Sequence, residues 1–146
     1  MNTALNTFPI ELNAKTAAVL VRKMLKAKLH GTKFSVRSSF FAGGSSVDVS
    51  WEDGVALDVV EALINPMRGK GFDAMTDSTT INNGTFEVDG QTYKKVYCWF
   101  GTHRRISEAT YAKVEAQQAD YYGDWASINR YEQERRIHQV LRTTSF

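Results

Sequence analysis

The chain has 146 residues, of which 42% are hydrophobic and 23% charged, and its formal net charge at pH 7 is +2. This size and composition fit one globular domain with its own core and exclude a disordered chain or a disulfide-dependent miniprotein. No apolar run approaches the roughly 20 residues of a membrane span, and residues 1–11 lack the pattern of a signal peptide, so we expect a cytoplasmic protein with no membrane contact.

Metal-ligating residue types are sparse. The single cysteine is Cys98, and the histidines His30, His103 and His138 lie far apart in the sequence. Because structural zinc sites need cysteine or histidine pairs at short spacing, we predict no metal site, and no motif indicates a cofactor.

Charge is distributed unevenly along the chain. Residues 1–33 carry six basic and one acidic side chain, residues 34–90 carry three and nine, and residues 91–146 carry nine and six. This basic, acidic, basic order suits a cationic surface for a phosphate backbone or an acidic surface for a basic protein. Ordinary solvated surface charge would give the same pattern.

A first helix is predicted from Asn13, a suitable N-cap, to about His30. Apolar residues recur at every fourth position within it, for example at Val21 and Leu25, and lysines and an arginine occupy the remaining surface. The result is a basic amphipathic helix.

Two alternating strands, residues 34–39 and 47–52, are predicted to form an antiparallel hairpin with Arg37 opposite Asp48. Their connection contains two glycines and places Phe40 and Phe41 near an exposed tip.

The next helix is predicted to begin at Asp53 or Gly54 and to end at Pro66. Its apolar stripe is predicted to be Val55, Val59 and Leu63.

Residues 69–85 are rich in small polar residues and predict a surface loop with at most a short strand at 72–75. A second hairpin is predicted around Asp89-Gly90, since both central positions of a tight turn favour such residues. Its second strand is predicted to include a long central segment, residues 93–100, because neither of its faces is polar.

After Ser107 the helical spacing of apolar residues resumes, and Gly123 and Asp124 are predicted to divide two helices. Glu132 and Arg136 have the spacing of an i,i+4 ion pair in a stretch without an apolar stripe. Such a helix projects into solvent or lies against a partner, and a homodimer through the C-terminal helices is one arrangement of this kind.

Together these elements predict an α+β fold with an N-terminal helix, an antiparallel β-hairpin, a helix and a second β-hairpin. The C-terminal helices are predicted to pack on one face of an antiparallel sheet. We treat residues 1–146 as a single domain with an α-β-β-α-β-β core at 12–107 and a C-terminal helical extension at 108–146.

No catalytic constellation emerges from the sequence. A serine such as Ser46, or the Cys98 thiol, could use His103 as a base, but no orienting group is evident, and Cys98 is interpreted as a core residue. Asp73 and Asp77 would belong to a divergent metal-dependent nuclease, yet the accompanying lysine or histidine is missing. We therefore predict a protein that is not an enzyme.

Two sets of side chains are candidates for binding, although core packing and solvated charge would also explain each of them. Aromatic and arginine side chains dominate protein-binding hot spots, and this set comprises Phe40, Phe41, Tyr121, Tyr122, Trp125, Arg130 and Arg135. Nucleic acids need cations for phosphates and flat rings for unstacked bases, and the cationic set comprises Lys15, Arg22, Lys26, Arg104 and Arg105.

Residues 33–39 (KFSVRSS) and 43–54 (GGSSVDVSWEDG) closely resemble the large polyvalent protein-associated domain 29 family. The resemblance extends to residues 71–77, where Ala74 replaces a glycine of the family, and to Arg105-Ile106-Ser107. It covers about residues 14–107, leaves 108–146 unexplained and transfers no catalytic residues.

The resemblance implies a protein of a phage or other mobile element, of the kind that accompanies incoming DNA and blunts host defences. We accordingly expect a non-enzymatic accessory protein in the bacterial host cell that binds and inhibits a host defence protein complex, as an anti-CRISPR-like inhibitor does. The alternative is a nucleic-acid-binding accessory protein of a mobile element, and the third hypothesis is the divergent nuclease.

Overall fold

The computed structural model describes residues 8–146. Its helices are α1 (Ala14–Lys28), α2 (Leu57–Ile64), α3 (Glu108–Tyr121) and α4 (Arg130–Thr143). Its strands are β1 (Phe34–Phe41), β2 (Gly44–Glu52), β3 (Lys70–Asp73), β4 (Ser78–Ile81), β5 (Thr85–Val88), β6 (Gln91–Lys94) and β7 (Trp99–Arg105). Short 3-10 helices follow α2 and precede α4, and the predicted α+β class is confirmed.

Helix α1 begins where its sequence predicts. The Asn13 side chain accepts a hydrogen bond from the Thr16 amide at 2.9 Å, and the Thr16 hydroxyl accepts one from the Asn13 amide at 2.9 Å, which completes a capping box. The helix ends at Lys28, two residues before the predicted end, because Leu29 leaves the helical conformation (φ −130°).

The central sheet has the order β1-β2-β7. Strands β1 and β2 form the predicted antiparallel hairpin, with Arg37 opposite Asp48, and a two-residue turn at Ala42-Gly43 joins them. Strand β7 lies parallel to β2, with Ser46 opposite Trp99. The sheet is therefore mixed rather than wholly antiparallel.

The second predicted hairpin is β5–β6, and its turn residues Asp89 and Gly90 both have positive φ, 49° and 80°. The predicted long strand at residues 93–100 is wrong, because β6 ends at Lys94. Residues 95–98 instead connect β6 to β7, and the Val96 amide donates to the Met67 carbonyl at 2.8 Å. The alternation of apolar and aromatic residues that predicted one strand thus includes a connecting segment, in which Val96 and Cys98 are buried in the core.

The predicted surface loop at residues 69–85 is also wrong in part. Strands β3 and β4 pair antiparallel across it, with Asp73 opposite Ser78. The turn between them uses Asp77 at φ 52°, a conformation that aspartate tolerates better than most residues. Polar composition alone did not reveal this hairpin because its outer strand, β4, is exposed throughout.

Helix α2 begins at Leu57 rather than at the predicted Asp53 or Gly54. Those two residues have positive φ, 52° and 58°, and form a turn at the end of β2. A Cβ at Gly54 would lie 2.6 Å from atoms of the Thr32 side chain, so glycine is needed there for space as well as for conformation.

The later start shifts the buried face of α2. Val60 and Ile64 are its buried residues, whereas Val59 is 38% exposed, so the predicted stripe of Val55, Val59 and Leu63 is displaced by one position. Val55 and Leu63 pack at the margin of the core. The predicted end near Pro66 is confirmed by the 3-10 turn at Asn65–Met67.

The described residues form two hydrophobic clusters. The larger lies between α1, α2 and one face of the central sheet, whose buried residues include Val36, Val47 and Val49. The smaller joins α3 to α4 through Val114, Ile137 and Leu141. The predicted break near Gly123 is confirmed, and α4 is anchored by this apolar contact rather than projecting freely.

None of the helices in the described part of the chain combines the length and the apolar character needed to cross a membrane.

Candidate functional site

Alternation along the strands gives the central sheet two different faces. Residues such as Val36, Val49 and Thr102 point towards the helices. Their neighbours point the other way and are all half-buried or exposed. We name this second surface the open face, and it consists of Ser35, Arg37, Ser39, Phe41, Gly44, Ser46, Asp48, Ser50, Glu52, Trp99, Gly101, His103 and Arg105.

Two rows of serines lie on the open face, with a charged pair between them. Ser35 lies opposite Ser50 and Ser39 opposite Ser46, and the row between them pairs Arg37 with Asp48, which has Gly101 as its neighbour on β7. The short serine side chains leave the pleated backbone accessible on both sides of the charged pair. Phe41 and Trp99 lie towards one end of the face, and Glu52 and Arg105 lie at the other.

The Asp48 and His103 side chains meet above Gly101. The His103 Nε2 and Asp48 Oδ1 atoms are 3.2 Å apart, and the Ser46 hydroxyl donates to Asp48 Oδ2 at 3.2 Å. A Cβ at Gly101 would lie 2.6 Å from Asp48 Oδ1 and 2.9 Å from His103 Nε2, so a larger residue would displace this contact.

This trio does not have the geometry of an activated serine. Nucleophile activation needs the base next to the hydroxyl, whereas Ser46 donates to the carboxylate and His103 also binds the carboxylate. Within residues 8–146, no group of three or more histidine, cysteine, aspartate or glutamate side chains is arranged to hold a metal ion.

The other residues considered for catalysis have structural roles. Asp73 Oδ1 accepts the Met75 amide at 2.9 Å, and Asp77 forms the positive-φ position of the same turn. Cys98 is 1% exposed within the larger hydrophobic cluster, as its interpretation as a core residue predicted, and burial raises the pKa of its thiol to about 11.

Arg104 and Arg105, predicted as one basic cluster, point to opposite sides of the sheet because they are successive residues of β7. Arg105 is exposed on the open face, where its Nε lies 3.9 Å from Glu52. The Arg104 guanidinium donates to backbone carbonyls on the covered side, including those of Gly54 at 3.0 Å and Thr144 at 2.8 Å. These donors hold β7 to the segments after β2 and α4, so the structure gives no support to the predicted contact of Arg104 with nucleic acid.

The basic residues of α1 are not joined to Arg105 either. Helix α1 packs on the covered face, and Lys15 and Lys26 are exposed on its surface. Arg22 donates to the Val36 carbonyl at 2.6 Å and so binds the free edge of β1. The predicted cationic set is thus divided between the two sides of the sheet.

The predicted aromatic set is likewise divided. Phe40 and Phe41 flank the β1–β2 turn and are 63% and 50% exposed, as predicted. At the α3–α4 end, Tyr121 is exposed, whereas the Tyr122 ring stacks on Trp125 with a centroid distance of 6.2 Å. Trp125 also packs against the smaller hydrophobic cluster.

The two arginines of that set are engaged in ion pairs. Arg130 Nη1 lies 2.9 Å from Glu115, and Arg135 Nη2 lies 2.8 Å from Glu132. The hydrogen bond from Arg135 lowers the pKa of Glu132 to about 2. Exposed pairs of this kind contribute little stability, but they orient both arginines along α4.

Sequence reasoning missed Lys70, which lies beside the open face. Its ammonium nitrogen is 4.9 Å from the Tyr97 ring centroid and 4.6 Å from that of Trp99, and the residue is only 9% exposed. It also did not identify this face as a site, although polar side chains recur at alternate positions of β1 and β2. That pattern signals a strand face without a core beneath it.

The model of a family described as large polyvalent protein associated domain 29 matches residues 12–133. The match extends beyond the expected residues 14–107 and includes all of α3 and the start of α4. No curated protein and no solved structure is significantly similar to the chain.

Proposed function

The chain belongs to the large polyvalent protein associated domain 29 family, and on this premise we propose that it is a mobile-element accessory protein that binds single-stranded nucleic acid along its open face. The observation that supports the proposal is an uncovered polar sheet face, on which two rows of serines flank Arg37 and Asp48 and which has further cations and aromatic rings near its ends.

The cations around this face are Lys33, which adjoins Ser35, together with Arg37, Lys70 and Arg105. The two carboxylates on it are Asp48 and Glu52, so the formal charge of this surface is +2 with His103 neutral. This equals the formal charge of the whole chain, which means that the remaining charges balance one another.

Aromatic rings lie at one end of the same surface. Phe41 is half exposed next to Gly44, and Trp99 is partly exposed opposite Ser46. Unstacked bases gain about 1–3 kcal/mol each from stacking on such rings, and phosphates are neutralised by nearby cations. A polar face without apolar residues at its centre suits an extended nucleic-acid strand better than it suits a compact protein surface, which usually offers apolar anchors.

The proposal predicts a specific dependence on salt. Four phosphate contacts on a single strand give a slope of log affinity against log salt of about −3, and hence about a 50-fold loss between about 50 and 200 mM salt. The test is fluorescence anisotropy with a labelled oligothymidylate of about 15 nucleotides, compared with a duplex of equal length.

A matched pair of variants makes the test specific to the open face. The double variant Arg37→Met with Arg105→Met removes two cations from it, and Arg130→Met with Arg135→Met removes two from α4. We expect the first to weaken binding at least about tenfold and to reduce the salt slope by about 1.4, and the second to change little. Equal losses from both variants, or no binding by the unmodified chain at low salt, would refute the proposal.

A second candidate is the inhibitor of a host protein, and exposed aromatics at the β1–β2 turn favour it. Phe40 is 63% exposed on the side of β1 away from the open face, so it separates the two candidates. The test is a pull-down from bacterial lysate with and without nuclease. A partner retained after nuclease and lost with Phe40→Ser would support inhibition, and unaltered retention by the variant would oppose this docking surface.

A further inference from the structure

Lys70 is the one charged residue that is buried among residues 8–146. It opens β3, and its ammonium reaches the end of the open face where β7 begins with Trp99. The rings of Tyr97 and Trp99 approach it within cation–π distance, at 4.9 and 4.6 Å. A lysine so placed loses much of its hydration, which is costly for a charged group.

No acid offsets that cost. Across the described residues, no carboxylate lies within ion-pairing distance of the Lys70 ammonium, and no protein atom accepts a hydrogen bond from it. Every fully enclosed side-chain nitrogen or oxygen in that part of the chain does have a hydrogen-bond partner. The ammonium must therefore keep a small opening to solvent, through which its three N–H donors can be reached.

The neighbouring backbone leaves room for a ligand at this opening. A Cβ on Gly44 would lie 3.4 Å from the Lys70 nitrogen and 3.2 Å from the Phe41 ring. Glycine at this position therefore keeps the space between the cation and the ring unfilled. Phe41 and Tyr97 are 50% and 55% exposed, so flat apolar surfaces adjoin an incompletely paired cation.

We infer that Lys70, Gly44 and the rings of Phe41, Tyr97 and Trp99 form a subsite for one backbone phosphate of a single strand. The adjoining base would lie against an exposed ring. This inference rests on the proposed function and deepens it, because it fixes one end of the strand's path across the open face. A carboxylate of a protein partner would satisfy the same cation, and the experiment separates the two.

The test compares three variants of the full chain by anisotropy with the same oligothymidylate. Lys70→Met removes the buried cation while keeping most of its apolar stem, and Lys33→Met removes an exposed cation near the other end of the face. Gly44→Ala keeps the charge of Lys70 but fills the space beside it. Thermal unfolding of each variant checks that it folds. If Lys70→Met does not fold, the effect of Gly44→Ala on binding tests the subsite by itself.

We expect Lys70→Met to weaken binding about tenfold or more and to reduce the salt slope by about 0.7. Gly44→Ala should weaken binding with an unchanged melting temperature, and Lys33→Met should have a smaller effect. An oligothymidylate with uncharged methylphosphonate linkages should bind the unmodified chain and Lys70→Met equally.

Three results would overturn the subsite. In the first, the affinities of Lys70→Met and Gly44→Ala for the oligothymidylate stay within about twofold of that of Lys33→Met. A twofold change in affinity is smaller than the effect expected from loss of one hydrogen bond to a charged group. The loss caused by Lys70→Met could persist with the uncharged oligonucleotide. A protein partner captured in the presence of nuclease could depend on Lys70 when the oligonucleotide does not. Failure of the unmodified chain to bind any oligonucleotide would instead refute the proposed function itself.

Discussion

Replacement of Arg104 by methionine should destabilise the protein more than any other change at a basic residue of β7. The guanidinium donates four hydrogen bonds to carbonyls, those of Asp53 and Gly54 after β2 and those of Leu141 and Thr144 at the end of α4. Burial lowers the pKa of Arg104, and the charge of Asp53 opposes that effect.

The magnitude follows from these contacts. Each hydrogen bond from a charged donor contributes about 1.5–3 kcal/mol, but the site is only partly buried and water can replace some of the lost partners. We therefore expect Arg104→Met to lower the free energy of unfolding by about 2–4 kcal/mol.

Urea denaturation followed by circular dichroism measures this change, and a shift of the midpoint by about 1–2 M is expected. Arg105→Met is the matched control, because it alters the next residue of the same strand. Its side chain is 82% exposed and has only a 3.9 Å contact with Glu52, so a change within about 0.5 kcal/mol is expected. Equal effects of the two substitutions, or a loss below about 1 kcal/mol for Arg104→Met, would refute the idea that Arg104 stabilises the fold by joining the turn after β2 to the end of α4.

Three further predictions concern stability and reactivity. Burial alone would raise the pKa of Asp53, but hydrogen bonds from the Ser107 hydroxyl and amide, at 2.7 and 2.9 Å, outweigh it and lower that pKa. The stabilisation from Asp53 is thus present above the unfolded pKa of about 3.9 and is lost as the pH falls through the folded value. In urea denaturation, Asp53→Asn should remove this contribution to the loss of stability in acid and should lower the free energy of unfolding by about 1–3 kcal/mol at pH 7. The raised pKa and burial of Cys98 predict that a disulfide reagent at pH 8 reacts slowly with the folded chain and rapidly in urea; fast reaction in both would contradict this. Ile137→Ala should lower the free energy of unfolding by about 2–4 kcal/mol in the same urea experiments, and Val140→Ala, at a half-buried position, should lower it distinctly less. The absence of this difference would mean that the α3–α4 cluster does not unfold cooperatively with the rest of the protein.

Local signals in the sequence were sufficient for several elements. Asn13 marks the start of α1, Asp89-Gly90 the turn of a hairpin, and the stretch around Gly123 the division between α3 and α4. Each of these features depends on residues within about four positions of one another, the range over which capping and turn geometry act. These features can therefore be predicted from the local sequence without knowledge of the tertiary fold.

The parallel pairing of β2 with β7 was not predictable in this way. Its partners, such as Ser46 and Trp99, are more than fifty residues apart, and no local pattern specifies which strands meet. The sequence places Arg104 and Arg105 in one cationic set, whereas successive residues of β7 point to opposite sides of the sheet.

The environment of Lys70 is a second feature that the local sequence does not predict. Polar composition around this residue predicted a loop, and a lysine in a loop is normally solvated. Its burial depends on Tyr97 and Trp99, which arrive from a connector and strand almost thirty residues later. Polar residues alternate along β1 and β2 in the sequence, but only the assembled sheet shows that they share one face with Arg105 and lie beside Lys70.

The edges of the central sheet give a reason to assign binding to the open face. An exposed edge strand usually recruits an extended partner by continuing the hydrogen-bond ladder. Here Arg22 donates to the Val36 carbonyl on the free edge of β1, at 2.6 Å, and Arg68 donates to the Phe100 carbonyl on the free edge of β7, at 2.8 Å. Both edges therefore have an arginine where a partner strand would need a carbonyl. An extended ligand that reaches this sheet meets side chains on its face more readily than backbone at its edges, and recognition there depends on charge and stacking rather than on a backbone ladder.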